Sequence, residues 1–507
     1  MTCHGDALLP PFDTRPFEAD TFRRGRKAAS MEPDLVVVGG GAAGIGAART
    51  AVHRGASVSL IESGPIGGDC TFTGCIPSKA VLEAAFGGRG FDQAMAAARQ
   101  AIETVAQTES AAVLRAEGIE VIEGRARFID RRTLDVDGTR VSGRAIVVAT
   151  GAGPTVPSIQ GIETVDFLTN ENLFELTSLP TSMAVLGGGP IGVEMAEAFS
   201  RLGSRVTIIE GASQLLPREE PLAAHVLSGV FAKLGITALT GSPVEKVEKL
   251  HPGPGIRLTL SDGKTVESAA LLVAVGRRPA SGGLGLHDAG VEVDGRGFVC
   301  VDAQLRTTAK GVFAAGDVAE QLQFTHVAYQ TGRIAAANAL ARVPLRRFDA
   351  ANVPWVTFTH PEVARVGLTE SQAVARGGRV AYLPMSEVDR AITAGRTEGF
   401  VKIITGPRPL LRNVAGGRIL GATIVAPRAG EMLSELVLAM TTRMFPARVA
   451  LTTHAYPTWS IAVQQATAQL FGEIGGRRSR PATLDGDDAE IRQRISDQAD
   501  ASIMEQR

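Results

Sequence analysis

The chain has 507 residues, of which 44% are hydrophobic, and its formal net charge is −1. This length favours several domains, and the balanced charge excludes the basic surface that nucleic acids or anionic membranes require. No apolar stretch approaches the roughly 20 residues of a membrane span, and four cysteines are too few for a secreted disulfide scaffold. We therefore expect a cytoplasmic globular protein with no nucleic-acid and no membrane partner.

The two ends differ in composition from the rest of the chain. Residues 1–30 are basic in part but contain no apolar segment of an export signal, so they indicate an N-terminal extension, with Met31 as an alternative start. Residues 473–507 are polar and rich in charge, which predicts a solvated tail, in part helical.

A dinucleotide-binding pattern runs from Asp34 to Ser63. An apolar run typical of a buried parallel strand leads into a G-x-G-x-x-G motif, which an alanine-rich segment and a second strand follow. The motif glycines allow a tight turn, close approach of a pyrophosphate and helix packing, and the acid at the end of the second strand suits a ribose hydroxyl. The residues concerned are Gly39, Gly41, Gly44 and Glu62.

The same pattern recurs after residue 181, in SMAVLGGGPIGVEMAEAFSRLGSRVTIIEG. The corresponding residues are Gly187, Gly189, Gly192 and Glu210. Two such units in one chain predict two dinucleotides that meet, and the usual pair is a flavin with a nicotinamide.

The segment GGDCTFTGCIPSKA holds Cys70 and Cys75. In a regular helix, residues five apart are too distant for a disulfide, so the pair can bridge only where the helix start is distorted. Gly67, Gly68 and Gly74 permit such a distortion, and a helix N-terminus favours the thiolate. Half of a zinc site or two unrelated cysteines are the alternatives, and beside a flavin fold we favour a redox dithiol.

This segment resembles the active-site signature of the class I pyridine nucleotide–disulfide oxidoreductases, such as dihydrolipoyl dehydrogenase, glutathione reductase and mercuric reductase. The resemblance extends over about residues 33–472 and includes ATGAGPTVP, GRRP, GVFAAGD and THPEVARVG. It implies an α/β fold with two Rossmann-like domains, for FAD and NAD(P), and a C-terminal α+β dimerisation domain. The expected boundaries are 31–150 and 277–350 for the FAD domain, 151–276 for the NAD(P) domain and 351–472 for the dimerisation domain.

The resemblance also implies individual roles. Cys75 is the thiol beside the flavin and Cys70 the interchange thiol that faces the substrate. Lys79 lies near the flavin and pairs with Glu194, while Asp317 binds the ribityl chain. The remaining cofactor contacts implied are Gly39, Gly41, Gly44, Glu62, Gly68 and Gly151 for FAD, and Gly187, Gly189, Gly192, Glu210 and Gly276 for the nicotinamide cofactor. Each site in a homodimer is completed by the partner chain.

The C-terminal stretch THAYPTWSIAVQQA departs from the family pattern H-x-H-P-T-x-x-E. Tyr456 stands at the position of the catalytic histidine and is counted with Cys70, Cys75, Lys79 and Glu194 as a candidate catalytic residue. Ile461 replaces the glutamate. Tyrosine is a poor base near neutral pH, so this departure argues against lipoamide or glutathione as substrate. His454 matches the first histidine of the pattern, and we expect it to be structural.

A tyrosine at this position resembles mercuric reductases, whose soft metal substrate needs no such base. No cysteine follows Cys300, so the C-terminal cysteine pair of those enzymes is missing. Near the first thiol, Phe72 replaces a common asparagine and Asp69 a common threonine, and a carboxylate at Asp69 would oppose a thiolate at Cys70.

We expect an FAD-containing oxidoreductase that passes electrons from NAD(P)H through the Cys70–Cys75 disulfide to a soft metal ion such as Hg(II) or another small oxidant. Glu210 favours NADH, although Arg218 lies close to it in sequence. No resident metal site is expected. The alternatives are a dihydrolipoyl dehydrogenase, a diaphorase or quinone reductase, and a non-catalytic flavoprotein.

Overall fold

A computed structural model describes residues 32–251, 255–319 and 322–484. The expected N-terminal extension, Met31 and residues 485–507 of the expected tail lie outside these ranges. The described elements belong to one compact unit that begins at residue 33.

Strands and helices alternate through the first two thirds of the chain, as expected of doubly wound α/β domains. The strands are β1 Leu35–Val38, β2 Val58–Glu62, β3 Glu120–Glu123, β4 Ala126–Phe128, β5 Thr133–Val136, β6 Thr139–Ser142, β7 Ile146–Val148, β8 Ala152–Pro154, β9 Ser182–Leu186, β10 Arg205–Glu210, β11 Thr237–Thr240, β12 Val244–Lys249, β13 Ile256–Leu260, β14 Thr265–Ser268, β15 Ala270–Val273, β16 Arg277–Pro279, β17 Val312–Ala314, β18 Pro354–Thr357, β19 Glu362–Gly367, β20 Arg379–Pro384, β21 Phe400–Gly406, β22 Arg418–Ala426 and β23 Arg480–Pro481. The helices are α1 Ala42–His53, α2 Gly68–Phe72, α3 Cys75–Phe86, α4 Phe91–Thr108, α5 Ala111–Ala116, α6 Pro190–Arg201, α7 Pro221–Lys233, α8 Thr325–Ala339, α9 Glu370–Ala373, α10 Asp389–Thr393, α11 Ala429–Thr441, α12 Pro446–Leu451 and α13 Ile461–Ala468.

The first dinucleotide-binding unit is built on a parallel sheet with the order β17-β7-β1-β2-β3. Strand β1 is buried along its whole length, because α1 and α8 cover one face of the sheet and a β-meander of β4, β5 and β6 contributes to the core on the other. The chain leaves this sheet after β7 and returns to it in β17, more than 150 residues later.

The inserted segment forms a second parallel sheet with the order β11-β10-β9-β15. Its first strand, β9, is also buried throughout, and α6 and α7 contribute to its core. Strands β8 and β16 pair antiparallel with each other and form the connection between the two dinucleotide-binding sheets. The sheet topologies confirm the expected fold class.

The C-terminal domain is a sheet with the order β18-β19-β22-β21-β20-β23, packed against α11, α12 and α13. The last strand adds contacts within the segment for which the sequence predicts a solvated tail. Strand β23 pairs with β20, and the Arg480 guanidinium binds Glu370. In the part of the chain that the structure describes, no helix is long and apolar enough to cross a membrane.

Candidate active site

The glycine loop between β1 and α1 borders a cavity of about 3180 Å³. A Cβ atom on Gly44 would lie 1.8 Å from the Gly39 carbonyl oxygen, and one on Gly39, whose φ is +110°, would lie 2.3 Å from the Ala149 oxygen. Both positions therefore require glycine for packing inside the protein. A Cβ on Gly41 would meet no atom closer than 3.9 Å, which leaves room for a phosphate at the start of α1.

The second glycine loop, between β9 and α6, repeats this arrangement. A Cβ on Gly192 would lie 2.0 Å from the Gly187 oxygen, and one on Gly187 would lie 2.5 Å from the Ala274 oxygen. Around Gly189 nothing lies within 4 Å of such an atom. Both loops thus leave open, at the middle glycine, the space that a dinucleotide pyrophosphate occupies in such motifs, so the residues present fit FAD and a nicotinamide dinucleotide.

The acids that end β2 and β10 have the same environment in both units. Glu210 accepts hydrogen bonds from the backbone N–H groups of Gly188, at 2.7 Å, and Ala212, at 2.8 Å. Glu62 likewise accepts from the N–H of Gly40 in the first glycine loop. Each carboxylate is therefore held at the rim of its loop, where the ribose of a bound dinucleotide is expected.

The two cysteines lie on different helices. Helix α2, which carries Cys70, ends at Phe72, and α3 begins at Cys75. A Cβ on Gly74, between these helices, would lie 2.7 Å from the Asp69 oxygen, so glycine is needed for the break. This interruption is the distortion that the sequence requires for the two sulfur atoms to meet, and both cysteines are free thiols in the structure.

The two thiols have very different acidities. The Cys70 thiol donates a hydrogen bond to the sulfur of Cys75, which, with the Thr325 hydroxyl 3.4 Å away and the Lys79 ammonium, lowers the pKa of Cys75 to about 5. The same hydrogen bond, together with burial, raises the pKa of Cys70. At neutral pH the pair therefore consists of a Cys75 thiolate and a protonated Cys70, and the thiolate is a ready electron donor or soft ligand.

Lys79 and Glu194 form the ion pair that the resemblance implies. Lys79 Nζ lies 2.7 Å from Glu194 Oε2 and 4.7 Å from the centre of the Phe358 ring. The Phe358 N–H donates to the other carboxylate oxygen at 2.9 Å. Burial alone would lower the pKa of Lys79, but Glu194 outweighs it and raises that pKa. A fixed positive charge therefore stands beside the thiol pair.

Arg277 joins three segments that line the cavity. Its guanidinium donates to the Asp69 carboxylate and to the Ala152 carbonyl oxygen, and its Nε lies 3.5 Å from Asp317 Oδ2. Asp317 is largely buried; burial raises its pKa and Arg277 opposes that rise. The expected effect of Asp69 on Cys70 is thus moderated, because its carboxylate is paired with a cation.

The C-terminal stretch holds two separate hydrogen-bonded pairs. His454 Nε2 lies 2.9 Å from Glu435 Oε2, and its Nδ1 lies 2.9 Å from the Thr452 carbonyl oxygen. Both ring nitrogens thus face acceptors, and these contacts raise the pKa of His454 against the opposing effect of burial. The Tyr456 hydroxyl donates to Asp389 Oδ2 at 2.9 Å, which raises the pKa of the phenol. The proton of the Tyr456 hydroxyl is thus engaged with Asp389, and the His454 ring is held in place by Glu435 and the Thr452 carbonyl.

The remaining predicted glycines, Gly68, Gly151 and Gly276, line the same cavity with positive φ angles. Sequence reasoning assigned no role to Thr325, Arg277, Asp389 or Glu435. For Arg277 the GRRP motif was a usable signal, whereas the other three contact their partners only through the tertiary fold. Among the described residues, no three His, Cys, Asp or Glu side chains cluster in a way that could hold a metal ion.

Comparison with known proteins agrees with this geometry. The family described as pyridine nucleotide-disulphide oxidoreductase matches residues 33–332, and its dimerisation domain matches residues 353–467. A mercuric reductase from Streptomyces lividans is 37% identical over 469 residues, 86% of this chain and 96% of that relative. A dihydrolipoyl dehydrogenase from Thermus scotoductus is 34% identical over 464 residues, 86% of this chain and 97% of that relative.

A solved structure is similar along nearly the same span. The Cu(II) complex of the HOCl-induced flavoprotein disulfide reductase RclA from Escherichia coli has a TM-score of 0.79 and 31% sequence identity, and it covers 87% of this chain and 100% of that one. The dimerisation-domain match indicates a homodimer. The chain therefore belongs to the pyridine nucleotide–disulfide oxidoreductases, with FAD as cofactor and NAD(P)H as co-substrate.

Proposed function

We propose that the enzyme oxidises NAD(P)H and delivers the electrons, through the Cys70–Cys75 pair, to a soft metal ion such as Hg(II) or to another small oxidant. In each turnover with a divalent ion, one NAD(P)H becomes NAD(P)⁺ and a proton while the metal takes two electrons. Bound FAD supplies the two-electron link between the nicotinamide and the sulfur pair. To this electron transfer the chain itself contributes the two thiols, Lys79 and Glu194.

In this proposal each side chain has a defined task. Cys75 stays a thiolate because Cys70, Thr325 and Lys79 all favour its charged form. Cys70 faces the acceptor, and its proton, held in the hydrogen bond to Cys75, leaves when sulfur binds the metal. Glu194 keeps Lys79 protonated at a fixed position. Asp317 binds the ribityl chain of FAD, with Arg277 holding its carboxylate.

The observation that carries the choice of acceptor is the lack of a base at the position of the catalytic histidine. A disulfide substrate requires a group that moves protons to and from the thiols. His454 is held between two acceptors, and Tyr456 donates to Asp389. Reduction of a metal ion places no such demand. The Cu(II) bound in the RclA structure and the mercuric reductase among the relatives support the same choice.

The nucleotide preference follows from Glu210. Its carboxylate is fixed by two backbone N–H groups at the end of β10, where its charge would repel the 2′-phosphate of NADPH. We therefore propose NADH as the preferred donor.

The test is an acceptor screen on the purified holoenzyme, with NADH and NADPH as donors and Hg(II), a quinone or oxidised lipoamide as acceptors. We expect NADH-dependent reduction of Hg(II) that is lost in Cys70→Ser and retained in Cys300→Ser, a matched control because Cys300 lies outside the active-site signature. Quinone turnover that Cys70→Ser leaves unchanged, without metal reduction, would instead establish a diaphorase.

Dihydrolipoyl dehydrogenase is the second candidate. It is favoured by the Thermus relative of that name and by the intact thiol pair with its Lys79–Glu194 neighbour. Vigorous reduction of NAD⁺ by dihydrolipoamide would establish it and overturn the metal proposal.

A further inference from the structure

Residues 216–219 form a turn that we call the 216–219 turn. All four residues line the cavity, as do Gly187 and Gly189 of the second glycine loop and Glu210 at the end of β10. The Leu216 N–H donates to the Gly188 oxygen at 2.8 Å, and the Glu219 N–H donates to the Leu216 oxygen at 2.8 Å. The turn is thus bonded directly to the second glycine loop, where the nicotinamide dinucleotide is expected.

The conformation of this turn depends on its surroundings. Leu216 has a φ of +48°, a left-handed conformation that residues other than glycine rarely adopt. Such a conformation persists when neighbouring contacts enforce it.

The other end of the turn, at Arg218 and Glu219, is held by the C-terminal domain. Arg365, on β19, places its Nε 2.7 Å from Glu219 Oε2 and its Nη2 2.7 Å from the Arg218 carbonyl oxygen. Trp355, on the neighbouring β18, donates from its indole N–H to the other Glu219 carboxylate oxygen at 2.6 Å. The Arg365 guanidinium also stacks 4.2 Å from the centre of the Trp355 ring. The Arg365 and Glu219 side chains are each only 7% exposed, so this pair is shielded from solvent.

We propose that Arg365 and Trp355 are positioning residues that hold the 216–219 turn in the shape that binds the nicotinamide dinucleotide. The C-terminal domain would then set nucleotide affinity in addition to joining two chains. The physical reason is preorganisation, because a wall that is fixed before binding does not have to be ordered by the ligand. The inference rests only on the NAD(P)H half of the proposed function and is independent of the electron acceptor.

The test compares Arg365→Met and Arg365→Lys with the wild-type holoenzyme. NAD⁺ binding to the oxidised enzyme is measured by calorimetry, and KM and kcat for NADH are measured with one fixed acceptor. We expect Arg365→Met to weaken NAD⁺ binding and raise KM about tenfold, the scale of having to order a side chain or two on binding, with kcat nearly unchanged. Arg365→Lys should lie between, because an ammonium can face Glu219 but lacks the fork that also reaches the Arg218 oxygen.

The matched control is Arg408→Met. Arg408 is likewise an arginine of the C-terminal domain that stacks on an aromatic ring and donates to backbone carbonyl groups, but those belong to Gly417, Arg443 and Met444. It should leave NAD⁺ binding unchanged. Unchanged NAD⁺ binding in Arg365→Met, or an equal loss in Arg408→Met, would overturn the proposal. If Arg365→Met does not fold, wild-type affinity in Arg365→Lys would overturn it. Since no acceptor enters the binding measurement, this result is separate from that of the acceptor screen.

Discussion

Replacing Lys79 with methionine should raise the pKa of Cys75, because the ammonium stabilises the thiolate. The wild-type pKa of Cys75 is about 5, and the Cys70 hydrogen bond contributes most to it, followed by Thr325 and Lys79. A cation near an acid lowers its pKa by roughly 1–3 units. Lys79 is not the largest contributor and Glu194 opposes it, so we expect a rise of about one unit. At pH 6 the ratio of thiolate to thiol would fall from about ten to about one.

The assay is the ultraviolet absorbance of the thiolate as a function of pH in phosphine-reduced holoenzyme, with Cys75→Ser as the background of the other thiols. Glu194→Gln provides the opposite perturbation. Removing its carboxylate removes a charge that raises the pKa of Cys75. The Cys75 thiolate itself still raises the pKa of Lys79, so we expect Lys79 to stay charged in this acidic range and the titration to move to lower pH. Lys233→Met, which removes an exposed ion pair with Glu398, is the control. A titration that Lys79→Met leaves unmoved, or that both active-site variants shift in one direction, would refute the reasoning.

Two further changes test the fold and the role of His454. Gly44→Ala should yield enzyme without bound yellow flavin, because the new Cβ would lie 1.8 Å from the Gly39 oxygen. The control is Gly229→Ala, whose Cβ meets nothing within 4 Å; it should retain the flavin and raise the free energy of unfolding by about 0.5–1 kcal/mol. Equal flavin content in the two variants would contradict this prediction. His454→Ala should lower the melting temperature more at pH 5.5 than at pH 8.5. The histidine pKa is raised by Glu435 and the Thr452 carbonyl, so its stabilisation is complete below about pH 6.5 and is lost as the pH rises through the raised pKa. An equal loss at both pH values would show that the charge of His454 does not stabilise the fold.

The glycine loops could be predicted from the sequence because their chemistry is local. Each glycine has a fixed place between a strand and a helix, and Gly44 and Gly192 are constrained by oxygen atoms only five residues away in the chain. The break between the two cysteine helices was predictable for the same reason, since Gly74 contacts Asp69. The resemblance to a known family supplied the Lys79–Glu194 pairing, which spacing alone does not reveal.

Other contacts could not be predicted, because they join segments that no local pattern relates. Thr325 reaches Cys75 across 250 positions, and Asp389 reaches Tyr456 across 67. The replacement of the glutamate by Ile461 suggested that no carboxylate serves this stretch. The structure shows that carboxylates from other elements contact this stretch instead. Glu435 accepts a hydrogen bond from His454, and Asp389 accepts one from Tyr456.

The central claim is that reducing equivalents leave the enzyme through sulfur. Its most direct test is a dithionite titration of the holoenzyme beside Cys75→Ser. We predict that the wild type takes up about four electrons per bound flavin, because a dithiol–disulfide couple adds two to those of the flavin, and that Cys75→Ser takes up about two. A wild-type enzyme that accepts no more electrons than the variant would contradict the claim.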